Sequence, residues 1–378
     1  MKLVIHDLAP QAWDSIKHRY DDCTVVFDRG TIRPCTGCFS CWNRTPGQCV
    51  IHDGYENMGK LIHDAEEVIV ISRYTWGGFS SFVKGVFDRS LGYVLPQFEL
   101  VNGESHHQKR YAEDKPFSFH FYGPRFTEEE KACARRYVEA VCTNIRGTVK
   151  ETVFHECGGK TAMVGRTYTP SGKTVLLQAS MRNRNSARLA QKLAAKLETE
   201  TETIALREYL NDLPSLVRRL TDESTIVLCT PLYVDGLPSL LIRLLECFAA
   251  EYHGAGKRIY VLANMGLYES RQLVNLFRTV EQWCRTMDFT YCGGLGISAG
   301  ELIGELMKFL PFHSGPIKEI AGGVDELAEA IDHSEILGEI QREPYRFPRS
   351  LYIWIANTNW NRTAKKNGIS PRDLYRRL

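Results

Sequence analysis

The sequence has no apolar run approaching the ~20 residues that a membrane span needs, so it offers no transmembrane segment. It also lacks a strong excess of either charge. Lys and Arg number 47 against 45 Asp and Glu, a net +2, which leaves no extended footprint for nucleic acid. A secretory leader is not expected either: Met-Lys-Leu-Val-Ile-His-Asp7 meets an acid too early and reads as a first strand. Cysteine, by contrast, is plentiful at twelve. Outside one loop the cysteines scatter through segments that read as buried strands and helices, such as Cys229, Cys247 and Cys284. That usage points to a reducing cytoplasm, not to a disulfide framework. A hydrophobic content of 43% and a charged content of 24% are those of a soluble globular protein. At 378 residues the chain is too long for one ordinary core and suits two domains.

The pattern is strand and helix in alternation, twice over. In the first half, 3–5, 24–27, 68–71, 117–122 and 149–154 are short apolar runs that suit strands buried on both faces. Helical patterns fall near 57–65, 79–90 and 128–144. The turn chemistry of Tyr168-Thr-Pro170-Ser-Gly172 marks a linker. Beyond it, 175–178, 226–229, 259–263 and 295–297 read as strands, and 185–197, 238–252 and 270–287 as helices. Such alternation implies right-handed βαβ units and parallel sheets. The halves look like copies. The stretch 69–88 aligns without a gap on 227–246, each with a buried strand, an aromatic- and Gly-bearing loop and a helix, and with Gly78 matching Gly236. The domains expected are 1–168 and 173–332, followed by a basic tail, 333–378.

Two loops stand out. Cys35-Thr-Gly-Cys38-Phe-Ser-Cys41 is followed by Cys49, with Pro46-Gly47 folding the chain back between them. Four thiols at this spacing suit a cubane iron–sulfur cluster. Zinc, which more often takes two separated C-x2-C pairs, and a thiol-rich loop holding no metal stay open beside it. The second loop is Gln178-Ala-Ser180-Met-Arg182-Asn183-Arg184-Asn185-Ser186, at a helix start. It is neither a G-x-G-x-x-G nor a Walker loop. Its hydroxyls, arginines and free helix N–H groups favour a phosphate, and a plain capped helix start is the alternative. The first half has no such loop: Ile5-His-Asp-Leu-Ala-Pro10 to Asp14 would set Asp7 and Asp14 against a phosphate.

Ser180 to Ser186, with Thr230-Pro-Leu-Tyr-Val-Asp-Gly-Leu-Pro238, resembles the phosphate loop and ring loop of the flavodoxin-like NAD(P)H-dependent FMN reductases. Asn264-Met-Gly-Leu-Tyr-Glu269 falls where that family places its third flavin loop, and the cysteine loop resembles that of the iron–sulfur flavoproteins in the same superfamily. Arg73 departs from the family's ring loop, which usually has Pro there; Pro231 keeps it. The resemblance implies an α/β fold of two tandem flavodoxin-like doubly wound parallel sheets with a C-terminal helical tail. It implies FMN held by Ser180, Arg182, Asn183, Asn185 and Ser186 at the phosphate, by Pro231, Leu232, Tyr233, Val234, Asp235 and Gly236 at the ring, and by Asn264, Met265, Gly266 and Tyr268 at the pyrimidine edge.

NAD(P)H is then the co-substrate and a small molecule or protein the electron acceptor. Cys35, Cys38, Cys41 and Cys49 are the candidate ligands of a [4Fe-4S] cluster, with Trp42, Tyr74 and Trp76 either shielding it or simply packing. No catalytic side chain is expected, because hydride transfer needs stacking at roughly 3–3.5 Å and not an acid or base. His106 and His107 lie in a polar stretch and read as surface residues. A homo-oligomer is expected by resemblance alone. An electron-transfer flavoprotein without a nicotinamide site, and a non-enzymatic metal or flavin sensor, remain as rival readings. The tail carries Arg342, Arg346, Arg349, Arg362, Lys365 and Lys366 around Leu351-Tyr-Ile-Trp-Ile355 and reads as a helical appendage.

Overall fold

The computed structural model describes residues 1–157, 173–182, 184–252 and 256–377; the turn segment 168–172 and Asn183 lie outside them. The chain divides into two compact units, Met1–Lys160 with Ile353–Leu378, and Thr161–Tyr352.

In the first unit the strands are β1 (Lys2–His6), β2 (Cys23–Phe27), β3 (Val68–Arg73), β4 (Val94–Val101), β5 (Glu104–Lys109), β6 (Lys115–Gly123) and β7 (Gly147–Glu156). Five of them form a parallel sheet in the order β2-β1-β3-β6-β7. Numbered within the sheet this is 2-1-3-4-5, the flavodoxin-like doubly wound order. β3 is buried at every position but Arg73, which is why Val-Ile-Val-Ile reads as one continuous apolar run. The helix Glu128–Asn144 starts at a capping box in which Thr127 and Glu130 each satisfy the other's backbone N–H.

β4 and β5 form an antiparallel hairpin inserted between β3 and β6. It corrects the reading of the histidines. His106 is 2% exposed on β5, and His107 packs against Trp42 and Phe98 with ring centroids 4.6 and 4.9 Å away. Burial pushes the His107 imidazole down to about 4. The polar spelling of this strand hid a buried face.

The second unit holds β8 (Thr174–Gln178), β9 (Thr201–Ala205), β10 (Thr225–Pro231), β11 (Arg258–Asn264), β12 (Thr290–Ile297) and β13 (Gly338–Arg342). All pair in parallel, in the order β13-β12-β11-β10-β8-β9. From the β9 edge this is again 2-1-3-4-5, with β13 as a sixth strand. The fold is therefore two tandem flavodoxin-like α/β sheets. Leu176, Val227, Leu262 and Leu295 from the strands pack against Leu189 and Leu193 of the helix Asn185–Ala194 and Ile320, Val324 and Leu327 of the helix Lys318–Asp332. Each such fully buried aliphatic side chain contributes roughly 1.5–3 kcal/mol. β12 needs glycine where its neighbours close in: a Cβ on Gly294 would lie 2.0 Å from the Val261 carbonyl oxygen, at the shift in register between β11 and β12. Among the described residues no helix is long and apolar enough to cross a membrane. The basic tail segment includes the helix Arg349–Lys366.

Candidate functional site

In a doubly wound sheet the ligand site lies beyond the carboxyl ends of the strands. In the second unit three loops meet there. The first follows β8. Ala179 N–H continues the ladder onto the Cys229 carbonyl at 2.9 Å, and the buried Ser180 then closes a tight turn: its Oγ donates to the Arg182 carbonyl at 2.8 Å and accepts the Arg182 N–H at 3.3 Å. Arg182 is half-buried and Arg184 exposed, just ahead of the helix Asn185–Ala194. Asn185 lies against Gly304, and Ser186 is buried.

The second loop follows β10. Tyr233 and Gly236 exchange both backbone hydrogen bonds at 3.0 Å, with Val234 at φ 38° and Asp235 at φ 58° at the tip. Two consecutive positive φ angles are those of a type I′ turn. Pro231, Leu232, Tyr233 and Val234 are half-buried, whereas Asp235 and Gly236 are buried. The third loop follows β11. Asn264 and Met265 are buried, and Gly266 is exposed with nothing within 4 Å of where a Cβ would sit. Tyr268 is half-buried, and its hydroxyl donates to the Phe347 carbonyl.

Asn264 joins the three. Its Oδ1 accepts the Ser186 hydroxyl at 2.6 Å, and its carbonyl accepts the Leu232 N–H at 2.8 Å. Two buried polar atoms at this edge have no hydrogen-bond partner among the described residues: Gln178 Nε2 at the end of β8 and Ser298 Oγ just past β12. A buried donor left unpaired costs about 1–3 kcal/mol, so a hydrogen-bonding group arriving at this edge would recover that cost. A helix N-terminus flanked by two arginines, an exposed glycine peptide and orphaned polar groups fit FMN. Sequence reasoning placed Gln178 at the start of the first loop without giving it a role and did not single out Ser298; their position at strand ends was the available signal.

The first unit repeats the turn of the second loop and has no counterpart of the first. Thr75 and Gly78 exchange backbone hydrogen bonds at 3.0 Å, Trp76 has φ 47° and Gly77 φ 90°, and Ser72 Oγ donates to the Arg73 carbonyl just as Thr230 Oγ1 does to Pro231. Past β1, however, Asp7 stands where Ala179 stands past β8, each with its N–H on the neighbouring strand's carbonyl. The Asp7 carboxylate accepts the Arg73 N–H at 3.0 and 3.2 Å, and burial raises its pKa despite that bond and one to Ser80. A phosphate does not fit beside this carboxylate.

The cysteine loop lies between β2 and β3. Arg89, held by Asp53 through contacts of 2.9 and 3.0 Å, donates from Nε to Cys49 Sγ at 3.1 Å. Burial first, then neighbouring charges that include the other loop thiols, pushes Cys35 up to about 12 and Cys41 well above its usual range. Yet among the described residues no group of three or more His, Cys, Asp or Glu side chains is arranged to hold a metal ion. No cluster is assigned to the loop. Trp42 is a packing residue: it is 1% exposed and donates to the Leu91 and Val94 carbonyls, both at 2.9 Å.

No protein-family model matches the chain, and no curated relative does. Among solved structures it is similar to an NADH:FMN oxidoreductase (EMOB) in its apo form, at 17% identity over 48% of this chain and 99% of that one, with a TM-score of 0.34. It is also similar to the Trp repressor binding protein from Bacillus subtilis, at 16% identity over 41% and 96%, TM-score 0.32. An FMN-dependent NADH-azoreductase from Bacillus anthracis str. Ames Ancestor in complex with FMN matches at 13% identity over 43% and 99%, TM-score 0.29.

Proposed function

We propose that the chain is an FMN-dependent NAD(P)H oxidoreductase that holds flavin at the carboxyl edge of the second sheet and passes electrons to a small-molecule or protein acceptor. The observation that carries this reading is the junction at Asn264, where one buried residue, through its side-chain oxygen and its backbone carbonyl, ties together the loops after β8, β10 and β11. When bound, FMN supplies the redox chemistry. The chain binds and orients it. Ser180, Arg182, Asn183, Asn185, Ser186 and the helix N-terminus hold the phosphate dianion. Tyr233 and the backbone of Leu232 to Gly236 line the ring. The Asn264 to Tyr268 loop offers backbone N–H groups to the pyrimidine edge. No step is assigned to the cysteine loop.

The test is an absorption spectrum of protein purified without oxygen, with FMN and iron quantified on the same sample. Flavin bands that bleach on adding NADH or NADPH support the reading. A colourless chain that takes up no added FMN overturns it. Flavin that resists both nicotinamides but accepts electrons from a protein donor shifts it to an electron carrier. About four irons per chain would give the cysteine loop a cluster after all.

A further inference from the structure

The segment after β13 is bound at four places to the third loop of the second unit and to Ser270, the residue that follows it. Glu343 accepts the Ser270 N–H and hydroxyl at 2.9 and 3.1 Å. Arg349 Nη1 donates to Glu269 at 3.0 Å. Tyr268 donates to the Phe347 carbonyl, and Tyr352 donates to the Gly266 carbonyl. Tyr352 is only 3% exposed, and its ring lies 5.7 Å from that of Tyr268. Burial, then the fields of Glu301 and Glu269, raises its hydroxyl pKa, so it remains a donor.

The Gly266 bond is the informative one. On either side the loop is already fixed: Met265 N–H is on Ile297 at 3.0 Å, and the Leu267 carbonyl accepts Ala299 N–H at 2.7 Å. Between them the orientation of the peptide joining Gly266 to Leu267 is set by Tyr352, since glycine itself tolerates most φ and ψ values and a Cβ there would meet nothing within 4 Å. A trans peptide is planar, with its C=O and N–H on opposite sides. A carbonyl turned towards Tyr352 therefore turns the Leu267 N–H the opposite way, away from Tyr352. Neither that N–H nor the Gly266 N–H has a partner among the described residues.

We infer that Tyr352 is a positioning residue of the flavin site: by holding the Gly266 carbonyl it aims the Leu267 N–H at the pyrimidine edge and favours the reduced, anionic flavin over the oxidised one. The inference rests on the flavin reading of the second unit. A donor to a charged acceptor is about twice as strong as one to a neutral acceptor, so the bond discriminates between the two redox states.

The experiment compares the full FMN-loaded chain with its Tyr352→Phe variant, reading the midpoint potential and the exchange of the Leu267 amide. In the variant, binding of reduced relative to oxidised flavin should fall about tenfold, or about 30 mV for a two-electron couple. In the wild type, added FMN should protect the Leu267 amide from exchange, and the variant should lose much of that protection. A purely structural tyrosine would lower the melting temperature and leave the potential unchanged. An unchanged potential with unchanged Leu267 protection overturns the inference. If the variant fails to fold, the wild-type amide decides alone: a Leu267 N–H that FMN does not protect overturns it too. A wild-type chain that binds no FMN overturns the flavin reading beneath it instead.

Discussion

Ser186 donates its hydroxyl to the Asn264 side-chain oxygen at 2.6 Å, and both residues are buried. The pair bridges 78 residues of sequence and fixes the helix that follows β8 against the end of β11. Ser186→Ala removes the donor and strands a buried amide oxygen. The expected loss is about 1–3 kcal/mol of stability, the penalty for an unpaired buried acceptor. On the proposed flavin reading, FMN affinity should fall with it, because that reading puts binding groups on both loops. Urea midpoints and a flavin-fluorescence titration would check this; an alanine variant with wild-type values in both would show that the tie is idle.

How much of this was legible in the sequence depended on burial. Strands covered on both faces, such as β3 and β10, spell out continuous apolar runs, and the alternation they set up fixed the α/β class. β9 escaped notice because it is an edge strand, with only Ile204 and Ala205 buried; β13, at the opposite edge, is half-buried throughout. The β4–β5 hairpin escaped because Ser105 and His106 occupy its buried positions. The site loops were legible because hydroxyls, amides and glycines crowd at strand ends. Tyr352 was not: it reaches Gly266 across 86 residues, and nothing local marks it.

Glycine in a helix normally costs stability, so replacing it with alanine should help by about 1 kcal/mol. Gly322 in the helix Lys318–Asp332 obeys that rule, since a Cβ there meets nothing within 4 Å. Gly304 in the helix Gly300–Leu306 does not. Its Cβ would sit 1.9 Å from Asn185 Oδ1 and 2.4 Å from Asn185 Cγ. Gly304→Ala must therefore displace Asn185 at the start of the helix Asn185–Ala194, the proposed phosphate site, at roughly 1–3 kcal/mol for an overpacked contact. The two variants should move the melting temperature in opposite directions, and only Gly304→Ala should weaken FMN binding. Stabilisation by both would mean that Asn185 moves aside freely.

The ring-loop turn places a β-branched residue where none is comfortable. Val234 has φ 38°, in a turn type that favours Asn-Gly. The first unit meets the same demand with Trp76 and Gly77. A non-glycine residue held there costs about 1–3 kcal/mol, and Asn tolerates the region better than Val. Val234→Asn is expected to raise the melting temperature. If the valine side chain touches the flavin ring, FMN affinity should fall in the same variant, separating strain kept for function from strain with no role. A variant that melts earlier than wild type would sink the strain argument.

Glu67, 7% exposed just before β3, accepts the Ser118 hydroxyl at 2.7 Å and is paired with Lys150 at 2.9 Å and Lys2 at 3.1 Å. Burial alone would raise its pKa, but these bonds outweigh it and lower the carboxyl from 4.5 to about 2. The sign follows from linkage. A carboxyl depressed in the folded state stabilises it fully above the unfolded pKa, and that stability is lost as the pH falls from 4.5 towards about 2. The two lysines are half exposed, so water screens their share and the contribution is roughly 1–3 kcal/mol. Glu67→Gln should be less stable than wild type by that amount at neutral pH. Below about pH 2, where both side chains are neutral, the two proteins should converge. Urea midpoints across this range give the answer: a gap that stays constant with pH would mean that Glu67 contributes shape and not charge.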